Sequence, residues 1–180
     1  MKIHITSASG AGSTTLGLAL SETLNYPYFD SDRYYWENSV IPFTQRRDPP
    51  LRNAMLKHDL DQHEHCILGG SVMKWDDIYL SYFNLVVFLF VPKKIRMQRI
   101  KNREFERYGD IIYTDPERSA MHNDFIAWAE GYDDNTTSSR SLQSHNNWLK
   151  QLSCPVLEII GDTTVEERLN LVIRKIEEIA

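Results

Sequence analysis

The residues best suited to chemistry stand at the start of the chain, in the run KIHITSASGAGSTTLGLALSETL over residues 2–24. A short apolar strand feeds a loop of small residues, and the loop feeds a helix that opens on hydroxyl side chains. Such a loop can wrap a phosphate with main-chain N–H groups, in the pattern G-x-x-x-x-G-K-[ST]. Ser7 stands at the first glycine of that pattern, Gly12 at the second, Ser13 at the lysine and Thr14 at the hydroxyl that holds magnesium. The lysine is therefore missing. Gly10 and Gly12 allow backbone angles that a Cβ opposes. The main-chain nitrogens of Ser9, Gly10, Ala11, Gly12, Ser13, Thr14 and Thr15 are expected to curl into an oxyanion nest. The helix dipole favours negative charge there. A ligand-free turn with Ser or Thr caps is the alternative.

A cation has to replace the one lost at Ser13 if phosphates bind. Arg96, Arg99, Arg103 and Arg107 are the best source, the last three recurring at four-residue spacing along one helical stripe. Guanidinium forks bind phosphate in a planar fashion. A solvated face balanced by Glu104 and Glu106 is the plainer reading. Asp30 and Asp32 follow a strand end, two residues apart. If that segment stays extended, both carboxylates point one way. One could accept a hydroxyl proton and either could hold a magnesium water, with Asp32 the preferred base and magnesium partner, against a turn-and-cap role.

These groups need a frame. Apolar runs at Ile3–Ile5, Tyr28–Phe29, Cys66–Leu68, Leu85–Val91 and Val156–Ile160 read as strands. Helical stretches separate them: Thr14–Leu24, Leu51–Gln62, a piece near Asp77–Tyr82, Lys93–Arg107 and Val165–Ile179. That alternation predicts an α/β domain, a parallel sheet with helices on both faces. The last helix sets Val165, Leu169, Val172, Ile173 and Ile176 against a polar face of Glu166, Glu167, Arg168, Arg174 and Lys175, with Thr163 or Thr164 as its cap. Two excursions interrupt the pattern, residues 31–61 and residues 107–152. The second reads as helical over Glu117–Ala129 and Ser141–Leu152, broken by the polar stretch Gly131–Ser139.

Composition narrows the options. With 42% apolar and 25% charged residues the chain is ordinary for a globular protein, and its 180 residues fit one domain, residues 1–180. A net charge of −5 argues against binding a nucleic acid polymer, which needs a basic face. The longest apolar run, LVVFLFV, is too short to span a bilayer. No secretory signal precedes the first strand, and Cys66 and Cys154 lack metal or redox spacing, so a cytoplasmic protein is expected. His58, His63 and His65 with Asp59, Asp61 and Glu64 give a weak metal reading, an exposed polar helix end being the plainer one.

Together, SASGAGSTT, YFDSDRYYW (Tyr28–Trp36), ILGGS (Ile67–Ser71) and VPKKIRMQRIKNREFERYGD (Val91–Asp110) resemble the P-loop kinases of small molecules, the adenylate kinase-like and other nucleoside monophosphate kinases with shikimate kinase nearby. The resemblance implies a three-layer P-loop NTPase fold with a five-stranded parallel sheet. Residues 31–61 would hold the acceptor and residues 107–152 a lid and helical insertion. It also implies ATP and Mg2+ as cofactors, a small-molecule acceptor that is a nucleotide or nucleoside, no membrane partner, and a monomer or homodimer. Asp32, Arg99 and Arg103 would be catalytic, and Thr14 and Asp32 would hold magnesium. Asp30, Trp36, Arg47 and Gly70 would contact the acceptor. Gly161, Asp162 and Thr163 fall where such kinases pass a loop over adenine. A nucleotide-binding sensor without turnover is the alternative.

Overall fold

The computed structural model describes residues 1–137 and 140–179. Five strands, β1 (Lys2–Ser7), β2 (Tyr28–Asp30), β3 (Cys66–Gly69), β4 (Leu85–Phe90) and β5 (Val156–Ile160), form one sheet in the order β2-β3-β1-β4-β5. Every pairing is parallel: Ile3 lies opposite Ile67 and Leu85, and Val86 opposite Val156. Parallel strands cannot join through tight turns, so helices cross over both faces. They are α1 (Ser13–Leu24), α2 (Ser31–Tyr35), α3 (Pro49–Asp61), α4 (Lys93–Tyr108), α5 (Ile111–Thr114), α6 (Pro116–Glu130), α7 (Leu142–Leu149) and α8 (Val165–Ile179). A 3₁₀ turn covers Asp77–Leu80. The predicted strands and long helices are present with ends shifted by a few residues, while α2 and α5 are additional. Part of the predicted polar break, Ser138 and Ser139, lies outside the described residues.

Alternation along the strands gives the sheet two apolar faces. On one, Ile3, Ile5, Ile67, Val87 and Leu89 pack with Leu16 and Leu20 of α1 and Val172 of α8. Leu18 of α1 is exposed. On the other face, Leu68, Val86 and Phe88 pack with Leu56 and Leu60 of α3 and Trp148 and Leu149 of α7.

On that second face β1 presents His4 and Thr6, both fully buried. His4 bonds the Leu68 carbonyl through Nδ1 at 3.1 Å and stacks on Phe83. His145 of α7 bonds Thr6 through Nε2 at 3.1 Å and Tyr132 through Nδ1 at 2.7 Å. Burial keeps both imidazoles neutral, pushed down to about 4 for His4 and about 3 for His145. The chain Thr6–His145–Tyr132 pins the start of α7, and with it the segment that carries Arg140, to the strand beneath the loop.

Gly17 tests how tightly α1 sits on the sheet. A Cβ there would lie 2.3 Å from Cε2 of Tyr28. Alanine improves a helix by about 1 kcal/mol over glycine in an exposed position. Here overpacking wins, and Gly17→Ala is expected to cost about 1–3 kcal/mol of unfolding free energy in urea titrations. A stabilised variant would contradict this packing.

Candidate functional site

Strand β1 ends at Ser7 and α1 begins at Ser13, so residues 8–12 make the turn at the C-terminal edge of the sheet. Gly10 and Gly12 occupy the left-handed region at φ 80° and 97°. Contact also requires glycine at position 10, because a Cβ would lie 2.7 Å from the Arg96 carbonyl oxygen. Helix α1 has no side-chain cap, unlike α2, α3, α6 and α7. Its first backbone bond runs from Leu16 N–H to the Gly12 carbonyl at 3.0 Å, so the amides of Ser13, Thr14 and Thr15 precede the ladder.

Three guanidinium groups grip the loop. Arg96 of α4 donates through Nη1 to the Ser9 carbonyl at 3.2 Å. Arg140 donates through Nη2 to Ser9 Oγ at 2.9 Å. Arg168 of α8 donates through Nη1 to the Ala11 carbonyl at 2.7 Å. Two loop carbonyls are thus engaged from the protein side. The loop borders a cavity of about 580 Å³, lined by Ser9, Gly10, Gly12, Ser13, Thr14 and Thr15. Ala11 is the exception: its side chain is buried in the core and its N–H donates to the Ala8 carbonyl at 3.3 Å.

Asp30, Asp32 and Gly70 line the same cavity. The two aspartates do not lie on an extended segment as expected. The chain turns into α2 at Ser31, and Asp30 caps it by accepting from Asp32 N–H at 3.0 Å. Asp30 is also the carboxylate beside Thr14, whose hydroxyl donates to its Oδ2 at 3.4 Å. Hard oxygens from a hydroxyl and a carboxylate suit magnesium, and Asp30 joins the expected Thr14 and Asp32 at the cavity as a further oxygen donor. Asp32 stands among opposing charges. Crowding by the cavity walls and then the Asp30 charge push its carboxyl up, while Arg140, Arg103 and Arg107 pull it down. Gly70 has φ 100°, and a Cβ there would strike Ser31 Oγ.

Five arginines, Arg99, Arg103, Arg107, Arg140 and Arg168, face those two aspartates across the cavity. Arg99 pairs with Asp162 at 2.5 Å and Arg103 with Glu104 at 3.2 Å. Arg107 lies over the Phe43 ring at 5.3 Å, which links α4 to the first excursion. Buried guanidinium nitrogens of Arg103 (Nε), Arg140 (Nε) and Arg168 (Nη2) have no hydrogen-bond partner among the described residues. A chain carrying net −5 has gathered positive charge at one place. That arrangement suits an anion.

Other expected positions fall elsewhere. Arg47 is only 9% exposed, and all three guanidinium nitrogens serve the fold: Nε and Nη2 grip Glu37, and Nη1 donates to the carbonyls of Arg33 and Tyr34. It clamps the excursion and does not line the cavity. Trp36 bridges to Arg46 and packs edge-on to Tyr35 and Phe43, also away from the cavity lining. Arg96 is buried, neutralised by Asp133, and acts from behind the loop. No group of three or more His, Cys, Asp or Glu side chains could hold a metal ion among the described residues. Cys66 and Cys154 are free thiols. Thr163 lines the cavity, and Thr164 caps α8 reciprocally with Glu167.

Sequence reasoning missed Arg140 and Arg168. The first follows a polar stretch with no periodicity. The second was assigned to the solvated face of α8 but is 4% exposed. Its one sequence signal is position: an arginine in the first turn of a helix, where the dipole disfavours it.

This sheet order, loop and cavity define a class, and the chain has the P-loop small-molecule kinase fold. Over 99% of its length it is similar to a gluconokinase from Sinorhizobium meliloti 1021, at 18% identity, 93% of that chain and a TM-score of 0.57. Over 98% it is similar to a deoxyadenosine kinase from M. mycoides with bound dATP, at 19% identity, 100% of that chain and a TM-score of 0.54. In sequence it is 28% identical over 117 residues to the shikimate kinase of Bacteroides fragilis (strain ATCC 25285), covering 59% of this chain and 65% of that protein. It belongs to the family of the YqaC protein of Bacillus subtilis (strain 168), to which it is 43% identical over 171 residues, 95% of this chain and 94% of YqaC. No protein-family model matches the chain.

The raised carboxyl of Asp32 has a signed consequence for stability. Above its folded-state pKa the ionised side chain costs folding free energy, and below the ordinary carboxylate range that cost is absent. Asp32→Asn is therefore expected to raise the melting temperature at pH 7, with the gain shrinking as pH falls toward about 4. Melting curves at the two pH values check this, and an equal or larger gain in acid would contradict it.

Proposed function

We propose that the protein is an ATP- and magnesium-dependent phosphotransferase whose acceptor is a small molecule carrying a hydroxyl and a negative charge. One observation carries this reading: a loop with glycine-permitted turns and uncapped helix amides faces two aspartates and five arginines in a single cavity. Phosphoryl transfer asks mainly for positioning and charge neutralisation. The amides of Gly12, Ser13, Thr14 and Thr15 hold the donor phosphates. Thr14 and Asp30 would hold a magnesium ion, which would supply charge neutralisation when bound. Asp32 accepts the acceptor hydroxyl proton, and its raised pKa brings it closer to the working range of a general base. Arg99 and Arg103 reach over the transferring group from α4. Arg140, beside Asp32, holds the acceptor's negative charge.

An acceptor with both groups accommodates a nucleotide and equally a hydroxylated acid. Kinases named for shikimate, gluconate and deoxyadenosine share the fold or part of the sequence, which supports the phosphotransferase class. Residues 31–61 on one side and residues 107–152 on the other act as acceptor wall and lid, meeting where Arg107 covers Phe43. Among the described residues no helix is long and apolar enough to cross a membrane. A cytoplasmic site of action, as monomer or homodimer, fits this reading.

ATP consumption over a panel of nucleosides, nucleoside monophosphates and hydroxy acids tests the proposal. Turnover is expected only with acceptors bearing both a hydroxyl and an anionic group, and Asp32→Asn is expected to lower it by about 100-fold or more with ATP binding retained. ATP binding without turnover on any acceptor would favour a sensor instead.

A further inference from the structure

We propose that Arg168 on α8 supplies the fixed positive charge for the donor phosphates that the loop itself lacks at Ser13. This deepens, and rests on, the phosphotransferase reading above.

The guanidinium group lies directly against the loop. Nη1 donates to the Ala11 carbonyl at 2.7 Å, and a Cβ on Gly12 would come within 3.0 Å of that nitrogen. The residue that follows Gly12 is Ser13, so the charge sits beside the step of chain where the lysine would start. Nε is fixed by Thr163 Oγ1 at 2.9 Å, which sets the plane of the fork. The third nitrogen, Nη2, is buried and has no partner among the described residues. The side chain lines the cavity while being only 4% exposed.

Two buried arginines bond the loop carbonyls, Arg96 from behind and Arg168 from the cavity wall, and the contrast between them identifies the charge donor. Arg96 is 1% exposed and its Nη2 is paired with Asp133, so its charge is already matched. Arg168 has no carboxylate ion pair among the described residues, and the nearby Asp162 is engaged by Arg99. An uncompensated buried cation is costly. Arg99 adds to the deficit: after burial, its positive charge is the next influence lowering the pKa of Arg168. An anion between the two would satisfy Nη2 and relieve that repulsion. The bond to Ala11 has a second effect. It turns the Ala11–Gly12 peptide carbonyl toward α8, which directs the Gly12 N–H away from that helix.

The test separates charge from loop support. Arg168→Gln removes the charge and keeps an amide donor for the Ala11 carbonyl, whereas Arg168→Lys keeps the charge. Calorimetric titration with ATP and, separately, with adenosine reads the difference. We expect Arg168→Gln to weaken ATP binding by about 30-fold or more and adenosine by less than about threefold. Arg168→Lys, which keeps the charge and loses the fork, should weaken ATP binding less than Arg168→Gln does. Adding Ser13→Lys to Arg168→Gln should recover at least about tenfold of the ATP affinity. Circular dichroism melts establish that each variant is folded. Equal loss for ATP and adenosine, unchanged ATP binding in Arg168→Gln, or no recovery from Ser13→Lys would each overturn the assignment and leave the phosphotransferase reading standing. Failure of the parent protein to bind any nucleoside triphosphate would overturn both.

Discussion

Arginine side chains bonded to the loop between β1 and α1 hold the rest of the site in register. Ser9 and Ala11 offer their carbonyls to Arg96 and Arg168, and Ser9 offers its hydroxyl to Arg140. A peptide whose carbonyl is fixed on one side presents its N–H on the other, so gripping the loop from the protein side opens its donors to the cavity. The grip needs side chains from both faces of the sheet. Helix α4 follows β4 and α8 follows β5, and both strands lie on the same side of β1 in the sheet. Arg140 reaches the loop from the opposite face, because His145 locks α7 to Thr6 of β1. Position 10 has to be glycine, since it touches the α4 backbone.

Electrostatics follow from the same arrangement. The chain is acidic overall, yet its cavity holds five arginines against two aspartates. Positive charge gathered in a partly enclosed space acts through a lower dielectric than at the surface. Its buried guanidinium nitrogens without a partner among the described residues mark where an anion would complete the hydrogen bonding. Position 13 is a serine, and of the arginines lining the cavity Arg99 and Arg103 are paired with Asp162 and Glu104.

Much of the frame was legible in the sequence because buried parallel strands read as continuous apolar runs, as in LVVFLF, and α4 and α8 carry strong periodicity. Positions set by tertiary contacts were not legible. Asp30 and Asp32 look like an extended pair, but Asp30 caps a helix of five residues too short to show a period. Arg47 looks like an anion contact, while Glu37 and two carbonyls engage all three of its guanidinium nitrogens. Trp36 is expected at the acceptor and packs among neighbouring rings, away from the cavity lining. Arg168 falls on the polar side of its helix by periodicity, and only folding brings the loop against that side. Local pattern reports which face of a helix is apolar; it says nothing of which polar residue a distant loop will cover.

A crystal structure with a non-hydrolysable ATP analogue and magnesium tests the central claim most directly. The account predicts phosphate oxygens at about 3 Å from the amides of Gly12, Ser13, Thr14 and Thr15, with the loop carbonyls still held by Arg96 and Arg168. An analogue seated elsewhere in the cavity, with those amides turned away from its phosphates, would contradict it.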